Sequence, residues 1–135
     1  MNDSSQESLD RVEEALRRAA RRGKNVAVIF GASWCPDSRA LDAALLHPLV
    51  APIIDRFFEV VAVDLGNRDR NLTLLERYGI RVEAGIPTIA FLDADGRLVK
   101  GLADGELRTA RAMTPLEIAE LFHRWQPREE PENSP

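Results

Sequence analysis

The residue with the most distinctive chemistry is Cys35, the single cysteine of a 135-residue chain. It follows an apolar run, Val26-Ala27-Val28-Ile29-Phe30, and stands directly before Pro36, which suits the first turn of a helix. A sulfur at such a strand-to-helix junction faces unpaired backbone N–H groups and the positive end of the helix dipole. Both favour the thiolate, which is the nucleophilic form. Asp37 works in the opposite direction, because a second negative charge nearby disfavours a thiolate. Ser38 lies three residues on, within one helical turn, where its hydroxyl can donate to the sulfur. From position alone, two readings of Cys35 stand side by side: a reactive thiol and a buried structural cysteine.

Other chemistry is sparse. His47 precedes Pro48, and His123 lies beside Phe122 and Trp125, so both read as surface or packing residues. Asp93 and Asp95 belong to a turn, where side-chain-to-backbone bonding accounts for them. One cysteine excludes an internal disulfide framework and a zinc site built from several thiolates, and two distant histidines lack ligand spacing. No Gly-rich phosphate loop is present, and no cofactor or metal is expected.

The elements that must position Cys35 follow from the patterning. Ser4 with Glu7 reads as a capping box, and Leu9, Val12, Leu16 and Ala19 continue at helical spacing until Gly23. The run from Val26 reads as a central strand covered on both faces. Leu41, Ala44 and Leu45 give the helix after Cys35 an apolar face, which Pro48 and Pro52 should break or kink. Val60 to Val63 reads as a second strand, and Leu72, Leu75 and Tyr78 as a short helix stopped by Gly79. Thr88 to Leu92 and Arg97 to Leu102 flank Asp93-Ala94-Asp95-Gly96 and read as an antiparallel hairpin. Thr114-Pro115-Leu116-Glu117 opens a last helix, with Leu116, Ala119, Leu121 and Phe122 on its core side. Residues 103 to 113 carry no pattern. The order α-β-α-β-α-β-β-α implies a mixed central sheet between two helical layers.

The chain length suits one domain, expected over residues 1–126, with a Pro- and Glu-rich disordered tail over 127–135. A net charge of −4 does not favour nucleic acid as partner. The basic cluster Arg17, Arg18, Arg21, Arg22 and Lys24 reads as a solvated face at a helix C-terminus. No run approaches the ~18 apolar residues of a membrane span. The polar start, Met1 to Gln6, shows no secretory pattern. A cytoplasmic location is expected if Met1 is the natural start, and a periplasmic one if a leader has been removed. A monomer is expected.

Trp34-Cys35-Pro36-Asp37-Ser38 after an apolar strand resembles the W-C-x-x-C active site of the thioredoxin superfamily. Gly85-Ile86-Pro87-Thr88, entering the third strand, resembles that superfamily's cis-proline segment, and Tyr78-Gly79-Ile80-Arg81 before it also matches. The resemblance spans about residues 24 to 125 and is nearest to bacterial thioredoxin-like and disulfide-isomerase-like proteins. It implies a thioredoxin-like three-layer α/β/α sandwich with an N-terminal helical extension. It implies Cys35 as nucleophile, a cis Pro87 against it, Ile86 offering its backbone to an extended substrate, Trp34 flanking the sulfur, and Trp34, Pro36, Ile86 and Pro87 together as the substrate-binding residues. Read without the resemblance, Pro87 is an ordinary first residue of a strand and Trp34 packs at a strand end.

The sequence departs from the pattern twice. Ser38 replaces the resolving cysteine, and Ile29 occupies the place of a buried acid six residues before the nucleophile. A serine cannot resolve a mixed disulfide, so the implied chemistry is monothiol, with glutathione or another external thiol as co-substrate. The implied partners are protein disulfides or glutathione mixed disulfides. Two alternatives stay open: a redox-inactive binding or chaperone-like module, and a dithiol reductase or isomerase whose second cysteine was replaced by Ser38.

Overall fold

In the computed structural model, residues 5–128 are described. Ser4 of the expected capping box and most of the expected tail lie outside them. The elements run α1 (Ser5–Arg22), β1 (Asn25–Gly31), α2 (Pro36–Ala44), α3 (Ala51–Phe57), β2 (Phe58–Asp64), α4 (Leu72–Arg77), β3 (Thr88–Leu92), β4 (Leu98–Gly101) and α5 (Pro115–Arg124). Short 3₁₀ turns occupy Val82–Ala84 and Ala110–Ala112. The four strands form one sheet in the order β2-β1-β3-β4. β1 pairs parallel with β2 and antiparallel with β3, which pairs antiparallel with β4.

β1 is central because nearly every residue in it is apolar and buried. Successive side chains of a strand point to opposite faces. Val26, Val28 and Phe30 therefore enter the core beneath α1 and α4, while Ala27 and Ile29 enter the core beneath α2, α3 and α5. β3 divides likewise, Ala90 and Leu92 to the first core and Ile89 and Phe91 to the second. Phe58, Phe91 and Phe122 build the second core as a ring cluster with centroids 5.5–5.7 Å apart.

The helix after Cys35 breaks as Pro48 and Pro52 predict: α2 stops at Ala44, and α3 starts afresh with Pro52 in its first turn, where a missing N–H costs nothing. Two other expectations need correction. Leu116 is exposed, and Ile118 is buried in its place beside the expected Ala119 and Phe122. The basic cluster is only partly a solvated face. Arg18, Arg22 and Lys24 converge on the carboxylate of Glu59 in β2, at 3.0, 3.3 and 3.9 Å.

Register places the candidate site. Gly31 pairs with Asp64, and Phe30 pairs with Thr88. The ends of β1 and β2 and the start of β3 therefore meet at one edge of the sheet. The loop bearing Cys35, the loop after Asp64 and the Ile86-Pro87 segment are all delivered there.

Candidate active site

Cys35 is the N-cap of α2, in extended backbone, with Pro36 at the start of the helix. Its sulfur is almost wholly buried and accepts the Ser38 backbone N–H at 3.4 Å. The carbonyl oxygen of Ile86 lies 4.0 Å from Sγ, within reach of an S–H donor. The Ile86–Pro87 peptide bond is cis. Beyond it, the Thr88 hydroxyl is fully buried and donates to the Leu102 carbonyl at 2.7 Å, tying the start of β3 to the chain beyond β4. The sulfur thus sits between the start of a helix and the segment entering a strand.

The Ser38 side chain does not do what its spacing suggests. Its Oγ accepts the Ala32 backbone N–H at 3.2 Å, and the bond from Ser38 to the sulfur comes from the backbone. Ala32 follows the last residue of β1, so its N–H has left the ladder and takes the nearest oxygen. Gly31 makes room: a Cβ there would lie 2.8 Å from Ser38 Oγ. Asp37 turns from the sulfur toward Arg111, accepting its N–H at 2.9 Å and facing its Nε at 3.8 Å. That contact anchors residues 103–113, the stretch without pattern, which Leu107 also pins by burying completely.

Trp34 and Pro36 are the exposed members of the group, and Trp34 is held from the loop after β2. Its indole N–H donates to the Gly66 carbonyl at 2.7 Å, and the Arg68 guanidinium lies over its ring at 4.9 Å. A cleft of about 240 Å³ opens beside Ser38 and Pro87, with Ile29 among its walls and Asp42 and Asp64 as its carboxylates. The structure therefore brings Trp34, Cys35, Pro36, Ser38, Ile86 and Pro87 to one place. Sequence reasoning missed Arg68, Arg111 and Asp42. Arg68 has one local signature, a left-handed φ of 66° in the loop after β2, but that is not visible in residue type.

Among the described residues, no group of three or more His, Cys, Asp or Glu is arranged to hold a metal, and no helix is long and apolar enough to cross a membrane. Burial raises the pKa of Tyr78 in the first core, with Arg77 pulling weakly the other way.

A family model described as thioredoxin-like matches residues 7–94. Among solved structures, the chain is similar to a disulphide isomerase from Xylella fastidiosa Temecula1, at 38% identity over 87% of this chain and 89% of that one, with a TM-score of 0.83. It shares its fold with a thioredoxin from Thermus thermophilus, at 23% identity over 82% and 80% of the two chains (TM-score 0.59). It also shares it with the reduced C-terminal domain of Neisseria meningitidis DsbD, at 21% identity over 87% and 96% (TM-score 0.62). No match was found among curated proteins.

Proposed function

The chain belongs to the thioredoxin-like family, and from that premise we infer a thiol–disulfide exchange protein that works through Cys35 alone. The observation that carries this reading is the seat of the sulfur, which accepts a helix-start N–H while lying against the carbonyl of Ile86. The first element gives the sulfur a main-chain hydrogen-bond donor at the start of α2. The second puts the nucleophile beside extended backbone that can pair with a substrate strand.

The Cys35 thiolate attacks one sulfur of a substrate disulfide, the S–S bond breaks, and the second sulfur leaves as a thiolate. A mixed disulfide on Cys35 remains. An external thiolate attacks its partner sulfur, a new disulfide forms outside the protein, and Cys35 leaves as a thiolate. The external thiol is oxidised, and the protein returns unchanged. When the incoming thiol belongs to the same substrate, the outcome is isomerisation with no net electron transfer. The likeness to the Xylella disulphide isomerase supports this second use.

Cys35→Ala is the test. It abolishes formation of a glutathione mixed disulfide on the intact chain, read by mass spectrometry, together with any glutathione-coupled turnover. Unchanged turnover removes Cys35 from the mechanism. A second reading, a binding module without redox chemistry, is favoured by Ser38 and Ile29 standing in a cleft beside the thiol. It requires peptide capture that survives Cys35→Ala, and loss of capture in that variant ends it.

A further inference from the structure

The cleft of about 240 Å³ beside Ser38 and Pro87 has a floor and a mouth of different chemistry. Ile29 of β1 and Ala62 of β2 are register partners, side by side among its walls. Ile29 is buried but Ala62 is exposed, so the floor stays open on the β2 side. Asp64 follows Ala62 by two residues and points to the same face of the sheet. Asp42 follows Ser38 by four and lies on the same face of α2. Both carboxylates are exposed and border the cleft.

Neither carboxylate is closely matched. Among the described residues, Asp42 has no cation within 4.0 Å. Arg39, three residues before it and the one cation of α2, donates to the Ser33 carbonyl at 2.9 Å instead. Asp64 Oδ1 accepts the Gly66 N–H at 2.8 Å, and its Oδ2 faces Arg70 at 3.9 Å across an exposed pair. The cleft adjoins the thiol without containing it. Ser38 stands between them, with its N–H on the sulfur and its side chain in the cleft wall. Pro87, another wall residue, follows the Ile86 carbonyl that faces the sulfur. A chain lying along Ile86 therefore has the cleft one residue away.

We propose that this cleft is a subsite for a lysine side chain of the disulfide partner. Lysine lays a flexible aliphatic stem along apolar surface and keeps its ammonium in water. Ile29 and Ala62 offer that surface, and Asp42 and Asp64 stand at the mouth, where the ammonium emerges. The charges are complementary, and the exposed mouth spares the ammonium the cost of full burial. The subsite acts on the choice of partner, not on the sulfur, and the inference rests on the reading of Cys35 as an exchanging thiol.

The test measures rates of mixed-disulfide formation on the full chain with a set of peptide disulfides. Each carries lysine, norleucine or glutamate at one position, scanned along both sides of the peptide cysteine. Norleucine keeps the stem and lacks the charge, so the lysine-to-norleucine ratio reads the carboxylates and cancels any general change in thiol reactivity. At one position lysine reacts about threefold faster than norleucine, the scale of a partly exposed ion pair, and glutamate reacts slowest. Rising salt brings the ratio to one. Asp42→Asn also brings it to one, and so does Ala62→Leu, which fills the floor at an exposed position. A lysine advantage at no position, or one that either variant retains, overturns the subsite and leaves the thiol reading standing. A faster reaction with glutamate overturns it in the same way. No reaction with any peptide overturns both.

Discussion

Replacing Ser38 by alanine separates two roles that its position runs together. The hydroxyl is buried and accepts the Ala32 N–H at 3.2 Å, whereas the sulfur is served by the Ser38 backbone N–H, which alanine keeps. Ser38→Ala leaves the N–H of buried Ala32 without its partner. A buried donor deprived of its acceptor costs about 1–3 kcal/mol. For a chain of this size, each kcal/mol lowers Tm by roughly 3–5 °C, so a fall of about 3–15 °C is expected in a calorimetric or dichroism melt. The rate of Cys35 alkylation by iodoacetamide at pH 7 stays within about twofold, because the helix start and its N–H remain. Alkylation slowed tenfold at an unchanged Tm is the opposite outcome. That result would mean that the hydroxyl, not the main chain, serves the sulfur.

Other outcomes are equally specific. Ser38→Cys supplies a second thiol one turn from Cys35 and confers insulin-disulfide reduction with an external dithiol; no gain excludes a resolving role for this position. Phe122→Ala removes a fully buried ring that contacts Phe58 and Phe91, and costs about 3–5 kcal/mol by denaturant titration. Tyr78, the only tyrosine, titrates above its ordinary value of about 10 because burial disfavours its anion. Its raised pKa contributes stability that is full below the unfolded value and lost as pH rises through the folded one. Absorbance at 295 nm follows a single late transition that returns to about 10 in denaturant.

Legibility followed the range of the forces involved. The β-branched run of β1, the turn around Asp93 and the Thr114–Glu117 cap are local, and the structure has each of them. Asp93 Oδ1 accepts both the Asp95 and Arg97 N–H groups, and Thr114 and Glu117 exchange their capping bonds. The start of β2 was less legible, since Phe58-Glu59 looks like a break before Val60. It is a strand because its register runs from Asn25 and its charge is met by three cations from elsewhere. Residues 103–113 had no pattern to read because distant partners hold them, Asp37 and Gly85 among them. At the site, the residues were legible and their wiring was not. Three-residue spacing brought Ser38 to Cys35, but an unpaired N–H at the end of β1 captured the hydroxyl.

The meeting of three strand ends has a consequence for how the protein matures. The sulfur's surroundings come from stretches 51 and 74 positions apart in the chain, Cys35 with Ile86 and Asp37 with Arg111. Contacts of such separation close late, after the entropy of the intervening loops has been overcome. A chain emerging during synthesis therefore carries its cysteine long before it carries its groove. Until β3 docks beside β1, that thiol lacks the Ile86 carbonyl beside it. Burial of Cys35 is then a clock for folding, and a pulse of a small thiol reagent during refolding reads the time at which the β1–β3 seam closes.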